Sequence, residues 1–389
     1  MAGYTLAQEP WYREEHALLA ESLRAYVQRS LLPHAAEWER AQGGFPSAVF
    51  REMGAAGFLG LNQPEERGGA GLDFWATVVF IDELLRCRMN GLAMGVLVQT
   101  NMATPIIGEL GSPEQIERYL KPAYRGERIA ALAISEPGAG SDVAAIQTTA
   151  RRQGEGWVVN GQKTFITNGA RADFLTLLAR TGEASHRGLS LFLFDTTTPG
   201  FRVGRALEKM GNHSSDTAEL SFEDCRLPAN ALLGQEGRGF YYVMQNFQEE
   251  RLVAALMAVS AAQLALEDAL AYVRQRQAFG RTLAQQPVLR HRLADMATRC
   301  EAARRLSFHA VERFLADPTT AIAPITRAKL LATETAISVV DDALQLHGGY
   351  GYMEEYPICR AYRDIRLLTI GGGTSEIMRE ILAQELLDR

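Results

Sequence analysis

The 389-residue chain carries 46 Asp and Glu against 40 Lys and Arg, with 47% apolar and 22% charged residues. That length exceeds one ordinary core, so two or three domains are expected, each burying its own apolar surface. The acidic balance leaves no basic footprint for nucleic acid, and no uninterrupted apolar run approaches the roughly 18 residues of a membrane span.

Up to about residue 126 the chain reads as helix after helix, with apolar residues at helical spacing: Leu19, Leu23 and Val27, then Val78, Ile81 and Leu85. In "GSPEQIERYL" the order Ser112, Pro113 and Gln115 spells a capping box, and "PEERGGAG" (64–71) is a turn-rich interruption. From 127 to 235 short β-branched and aromatic runs take over: "WVVNGQKTFITNG", "DFLTLLAR", "LSLFLFDT", "FRVGRAL" and "TAELSFEDCRL". They predict a compact antiparallel β domain, with Asn160-Gly161 as a hairpin turn. From 236 to 389 helix returns, opening with a run from Gly239 to about Gln277 that no Pro or later Gly interrupts, roughly 55 Å of helix. The fold class is α+β: an N-terminal helical domain (1–126), a middle β domain (127–235) and a helical domain resembling a four-helix bundle (236–389).

Cys87, Cys225, Cys300 and Cys359 have no paired metal-ligand spacing and read as reduced, packed thiols; no metal site is expected. The opening "MAGYTLAQEPWYREEH" resembles neither a secretory signal nor a transit peptide, so a cytoplasmic setting is expected.

Three stretches offer bare backbone. "ISEPGAGSD" (134–142) leaves a strand through a Pro- and Gly-rich turn, with the hydroxyls of Ser135 and Ser141; taken alone such a loop is more often a plain turn than a phosphate cradle. "QLHGGYGY" (345–352) lets another group approach Gly348 and Gly349. "GGGTSEIM" (371–378) puts three glycines before a helix whose N-terminal N–H groups and dipole suit an anion; no Lys follows, so it is no Walker loop.

In this order, on an α-β-α frame, the three stretches resemble the acyl-CoA dehydrogenase family over nearly the whole chain. "RQAFG" (276–280) is similar to the family segment that reaches a neighbouring subunit's flavin. The resemblance implies FAD, a homotetramer, an acyl-CoA substrate and an electron-transferring flavoprotein as partner. It assigns Ile134, Ser135, Ser141, Phe165 and Thr167 to the isoalloxazine and ribityl. Arg276, Phe279, Gln345, Gly348 and Gly349 go to the diphosphate and adenosine of a flavin bound mainly to a partner, and Thr374 and Glu376 to the chain's own. Phe165 stands where the family often has Trp. Pro287 stands where it commonly has a cofactor-touching Gln, which removes that contact or moves it to Gln286.

Dehydrogenating a thioester needs a carboxylate at the α-carbon. Many members place that Glu just before the Gly-Thr of the last signature, where this chain has Gly372. Glu376, past the Gly-Thr, reads as a carboxylate stabilised by the helix N-terminus. A subset including the isovaleryl and long-chain enzymes takes its base from the long helix, just before an Arg. Here "NFQEERLVAA" puts the base at Glu250, with Gln248 beside substrate and Arg251 facing CoA. Glu249 and Glu250 otherwise read as solvated helix-face residues, although about 100° per residue denies neighbours a shared environment. By the resemblance, the Gly372 N–H binds the thioester carbonyl, and Gln99, Thr100 and Asn101 contribute to the pocket floor. The expected product is a trans-2-enoyl-CoA from a long or branched chain. An oxidase-like flavoprotein or a non-catalytic FAD and acyl-CoA binder are the rival readings.

Overall fold

The computed structural model describes residues 4–41, 43–183 and 185–387. Its first part is helical: α1 (Glu14–Tyr26), α2 (Ala48–Ala55), α3 (Phe74–Leu85), α4 (Asn90–Leu97) and α5 (Pro105–Leu110). Asp73 starts α3 as N-cap, its carboxylate accepting from the Trp75 and Ala76 backbone N–H groups. The box at Ser112 is formed as expected: the Gln115 N–H donates to Ser112 Oγ at 3.2 Å and the Ser112 N–H donates to Gln115 Oε1 at 3.0 Å. A buried π-helical turn, Val98–Ala103, joins α4 to α5.

The middle part holds β1 (Ala130–Ala133), β2 (Thr149–Gln153), β3 (Gly156–Thr167), β4 (Phe174–Arg180), β5 (Leu189–Asp195), β6 (Phe201–Ala206), β7 (Thr217–Leu227) and the short β8 (Leu232–Leu233). Among the described residues the sheet order is β6-β7-β3-β2-β4-β5-β8, with β1 beside β4. The sheet is antiparallel except that β1 runs parallel to β4, as does one β2–β4 pairing. A helical segment precedes β1, so it enters without a hairpin. Both faces of β4 and β5 are covered. Phe174, Leu178, Leu189, Leu191 and Leu193 join the helical core, while Leu175, Leu177, Phe192 and Phe194 join a second cluster behind the sheet. That double burial explains why these strands read as continuous apolar runs.

Asn160-Gly161 is not a turn. β3 runs straight through it, and the β2–β3 hairpin turns at Gly154-Glu155, with Gly154 at φ +62°. Asn160 instead faces a bulge in β7. It accepts from the Asp224 N–H at 2.8 Å and donates to Asp224 Oδ1 at 3.1 Å, while Asp224 takes φ +49°. Gly161, at φ +147°, lies where a Cβ would come within 2.5 Å of Thr148 Oγ1. The glycine answers a close strand approach.

The third part is α6 (Gly239–Gln275), α7 (Pro287–Ala316), α8 (Ile322–His347), α9 (Pro357–Ile365) and α10 (Ser375–Leu387). Most of the 37-residue α6 is sheathed: one stretch is long and apolar enough to cross a membrane, yet nearly all of it is buried inside the protein. The expectation that each domain buries its own apolar surface is corrected here. The N-terminal and C-terminal helices share one cluster. Trp75 of α3 stacks on Trp11 at 4.2 Å and meets Phe308 of α7 edge-on at 5.6 Å. Just past α3, Arg88 pairs with Asp268 of α6 at 2.6 Å.

Candidate active site

Glu250 and Gly372 are 122 positions apart in sequence and meet in space. A Cβ built on Gly372 would lie 3.5 Å from Glu250 Oε1 and 3.8 Å from its Cγ. The α6 carboxylate thus rests against the space that a side chain at 372 would take, and Gly372 itself sits at φ +64°. Glu250 Oε2 is sealed from solvent with no hydrogen-bond donor among the described residues. Burial pushes the Glu250 carboxyl up to about 7, against the pull of Arg251 and Lys329. Such a carboxyl can both take and hold a proton near neutrality.

Arg251, which the resemblance assigns to CoA, reaches the glycine turn. It is buried, and its Nε donates to the Gly372 carbonyl at 3.2 Å. Lys329, from α8, was not singled out from sequence. It is fully buried and donates through Nζ to the Gly373 carbonyl. Burial lowers its ammonium to about 8, Arg251 pushes the same way, and Glu250 and Glu376 oppose. A signal was present: Ile325, Ala328, Ala332 and Ala336 form the buried stripe of α8, and Lys329 falls on it.

Glu249 is not a solvated helix-face residue either. Asn101, in the π-helical turn, donates to Glu249 Oε1 at 2.8 Å and receives the Thr100 hydroxyl on its own Oδ1 at 2.6 Å. Burial raises the Glu249 carboxyl to about 7, with Asn101 and Asn62 opposing. Gln99 belongs to the fold rather than to an open floor: it donates to Ala123 O at 2.8 Å and accepts from the Ala130 N–H at 3.1 Å. Gln248 is buried, donating to Met244 O while its Oε1 has no donor among the described residues.

The loop after β1 is fastened from below. Lys163 Nζ donates to Ile134 O and to Glu136 Oε1, both at 2.8 Å, and the Thr164 N–H donates to Ser135 O at 2.9 Å. The Gln147 and Thr148 N–H groups complete the Glu136 carboxylate, which burial alone would raise but Lys163 and these donors hold below its ordinary value. Directly after Thr164, Phe165 takes φ +60° and stands 70% exposed. Thr167 is half-buried at the end of β3, and Ser141 is exposed at the end of the loop. Thr374 caps α10, its Oγ1 accepting from the Ile377 N–H at 3.3 Å. Glu376 is exposed, its carboxyl lowered chiefly by a backbone N–H and by Thr374.

A second group lies at the far end of α6. Tyr272, Arg276, His347, Gly348 and Gly349 line an open recess of about 410 Å³. Its lining includes none of the loop residues 134–141. Gln345 lies outside that lining, its carbonyl accepting from the Gly348 N–H. Phe279 tips a two-residue turn between Gln277–Ala278 and Arg281–Thr282, at φ +54° and 97% exposed. Pro287 opens α7, and the Gln286 side chain accepts from Arg281 at 2.7 Å rather than standing open.

The two groups fit a long anionic dinucleotide with a planar ring. Cβ atoms built on Gly138, Gly140, Gly348 and Gly349 meet nothing within 4 Å, Arg276 supplies a cation, and Phe165 presents a ring face.

Three family models cover the chain: acyl-CoA dehydrogenase, N-terminal domain over residues 13–127, middle domain over 131–225 and C-terminal domain over 237–387. The chain is 41% identical over 384 residues to the long-chain specific acyl-CoA dehydrogenase, mitochondrial, of Mus musculus, covering 97% of this chain and 87% of that one. It is 39% identical over 387 residues to the human short-chain specific enzyme, covering 99% and 93%. Among solved structures, an acyl-CoA dehydrogenase from Geobacillus kaustophilus matches with TM-score 0.94 and 42% identity, over 97% of this chain and 99% of that one. A glutaryl-CoA dehydrogenase from Mycobacterium smegmatis in complex with FADH2 matches with TM-score 0.90 and 29% identity, over 97% and 96%.

Proposed function

Because the chain belongs to the acyl-CoA dehydrogenase family of FAD-dependent oxidoreductases, we propose that it converts a long-chain or branched-chain acyl-CoA to the trans-2-enoyl-CoA with Glu250 as the base. The observation that carries this reading is the 3.5 Å between Glu250 Oε1 and the Cβ position of Gly372. The carboxylate comes from α6, but it ends beside the turn that would bind the thioester.

FAD, when bound, supplies the acceptor for hydride from the β-carbon. Ile134, Ser135, Ser141, Phe165, Thr167, Thr374 and Glu376 would hold its flavin end, and Arg276, Phe279, Gln345, Gly348 and Gly349 the diphosphate and adenosine end of a partner's. Glu250 takes the α-proton, and its raised affinity keeps that proton from returning at once. The Gly372 N–H is donated to no described backbone carbonyl, which leaves it for the thioester oxygen, where negative charge develops. Gln248 Oε1 offers a further acceptor at the same stretch of α6. The bare Gly372 leaves room for a branch or for a long chain entering at its own angle. A homotetramer would bring the two cofactor groups together, and an electron-transferring flavoprotein would reoxidise the enzyme.

Anaerobic mixing with straight and branched acyl-CoAs, following flavin bleaching, tests the assignment. Glu250→Gln should keep FAD and bleach at least about 10²-fold more slowly, the scale of a lost general base. Near-normal bleaching would refute it. Glu376→Gln should loosen FAD instead.

A further inference from the structure

We propose that Lys329 is a positioning residue for the thioester site: with Arg251 it grips two consecutive carbonyls of the Gly371–Gly373 turn, fixing where the Gly372 N–H points and where Glu250 rests. The inference deepens the reading of Glu250 as the base and rests on it.

The turn has little to hold itself. Gly372 and Gly373 stand at φ +64° and +96°, and glycine crosses between such conformations more freely than any other residue. The N–H of Gly371 is tied back to Leu367 O at 2.9 Å. Beyond it, the polar tethers described are the two on carbonyls, Arg251 on Gly372 and Lys329 on Gly373. They come from different helices, α6 and α8, and converge on adjacent peptide units. The Gly372 N–H shares its peptide unit with the Gly371 carbonyl, so the two grips act on it through the units that follow. With the preceding unit tied by the Gly371 N–H to Leu367 O and the next two held by Arg251 and Lys329, the intervening unit, and with it the N–H direction, is bounded on both sides. A site that hydrogen-bonds a developing oxyanion needs that direction held to within about half an ångström.

Lys329 is an expensive choice for a mere strut. A fully buried ammonium with a neutral carbonyl as its described hydrogen-bond partner is poorly compensated, and no carboxylate forms an ion pair with it among the described residues. The charged groups that act on it are Arg251 and Glu250 from α6 and Glu376 from α10. Its charge in turn draws the Glu250 carboxyl downward. One side chain thus sets the shape of the turn and biases the base toward its working, ionised form.

Lys329→Met keeps the length of the stem and removes both donor and charge. It should retain FAD, bind a non-oxidisable 3-thia-acyl-CoA, which keeps the thioester carbonyl, about tenfold more weakly, as for one lost hydrogen bond, and bleach about 10²-fold more slowly. The acid limb of its bleaching profile should move to higher pH. Lys329→Gln, which keeps a donor without the charge, should recover part of the affinity but not the position of the limb. Unchanged affinity, rate and limb in a Lys329→Met protein that holds FAD would overturn the proposal. So would the loss of FAD from both variants, because a positioning residue leaves the cofactor in place. Normal bleaching by Glu250→Gln refutes the base, whereas an inert Glu250→Gln beside an indifferent Lys329→Met refutes only the grip.

Discussion

Glu249 and Glu250 are adjacent, equally acidic in free solution, and both raised to about 7 by burial, yet they face different partners. Glu249 is satisfied by Asn101, whereas Glu250 has an oxygen with no donor among the described residues and a glycine in front of it. A base works in its ionised form, so the bleaching rate at low substrate should climb about tenfold per pH unit below about 7 and level off above it. Stopped-flow profiles between pH 5.5 and 9, chosen to bracket that value, check the sign: a rate that falls with rising pH would mean that a protonated group is needed instead. At this scale the sequence was informative where it registered an absence. The vacancy at Gly372, with a carboxylate just before Arg251 where the resemblance places the alternative base, led to Glu250. The reach of Arg251 to the glycine turn and the role of Lys329 depend on contacts across 121 and 44 residues, which no local pattern encodes.

At the scale of elements, β3 acts as a fastening rail for the loop beyond β1. Lys163 and Thr164 hold Ile134, Ser135 and Glu136, and the next residue, Phe165, is strained outward into the open. Lys163→Met would leave the Glu136 carboxylate buried without its counter-ion, costing about 3–5 kcal/mol, the usual penalty for breaking a buried pair from one side. Denaturant unfolding should register that loss in protein stripped of FAD, and the FAD dissociation constant should rise in parallel. A stability change without loosened cofactor would show that the rail does not reach the loop. The capping box at Ser112 and the long helix were legible because each is a local pattern. Asn160-Gly161 misled because the dipeptide that favours a primed turn also serves a bulge opposite Asp224, and the choice is made by a strand some 60 residues later.

At the scale of the whole molecule, the residues proposed to hold FAD fall into two groups, and the ring of Phe279 stands 97% exposed. If it covers a flavin on another copy, Phe279→Ala should speed FAD release on dilution while leaving the helical circular dichroism and the unfolding midpoint of the stripped protein unchanged. Unaltered release would place Phe279 outside the cofactor site. The order of helical, β and helical parts was legible from texture alone. The union of the outer parts into one core was not, because periodicity says which face is buried but not against which partner.

That union bears on how the protein is made. Trp75, Phe74 and the rest of α3 leave the ribosome long before Phe308, Phe314 and α6, against which they are buried. At roughly 5–20 residues per second the wait lasts on the order of tens of seconds. Throughout it, the nascent N-terminal helices display an aromatic face that Trp11 covers only in part, without the cover that Phe308 and Phe314 will supply. Synthesis therefore has a sticky interval built into its order, and yield in cells should depend on chaperones that shield this face more than on the stability of the finished fold.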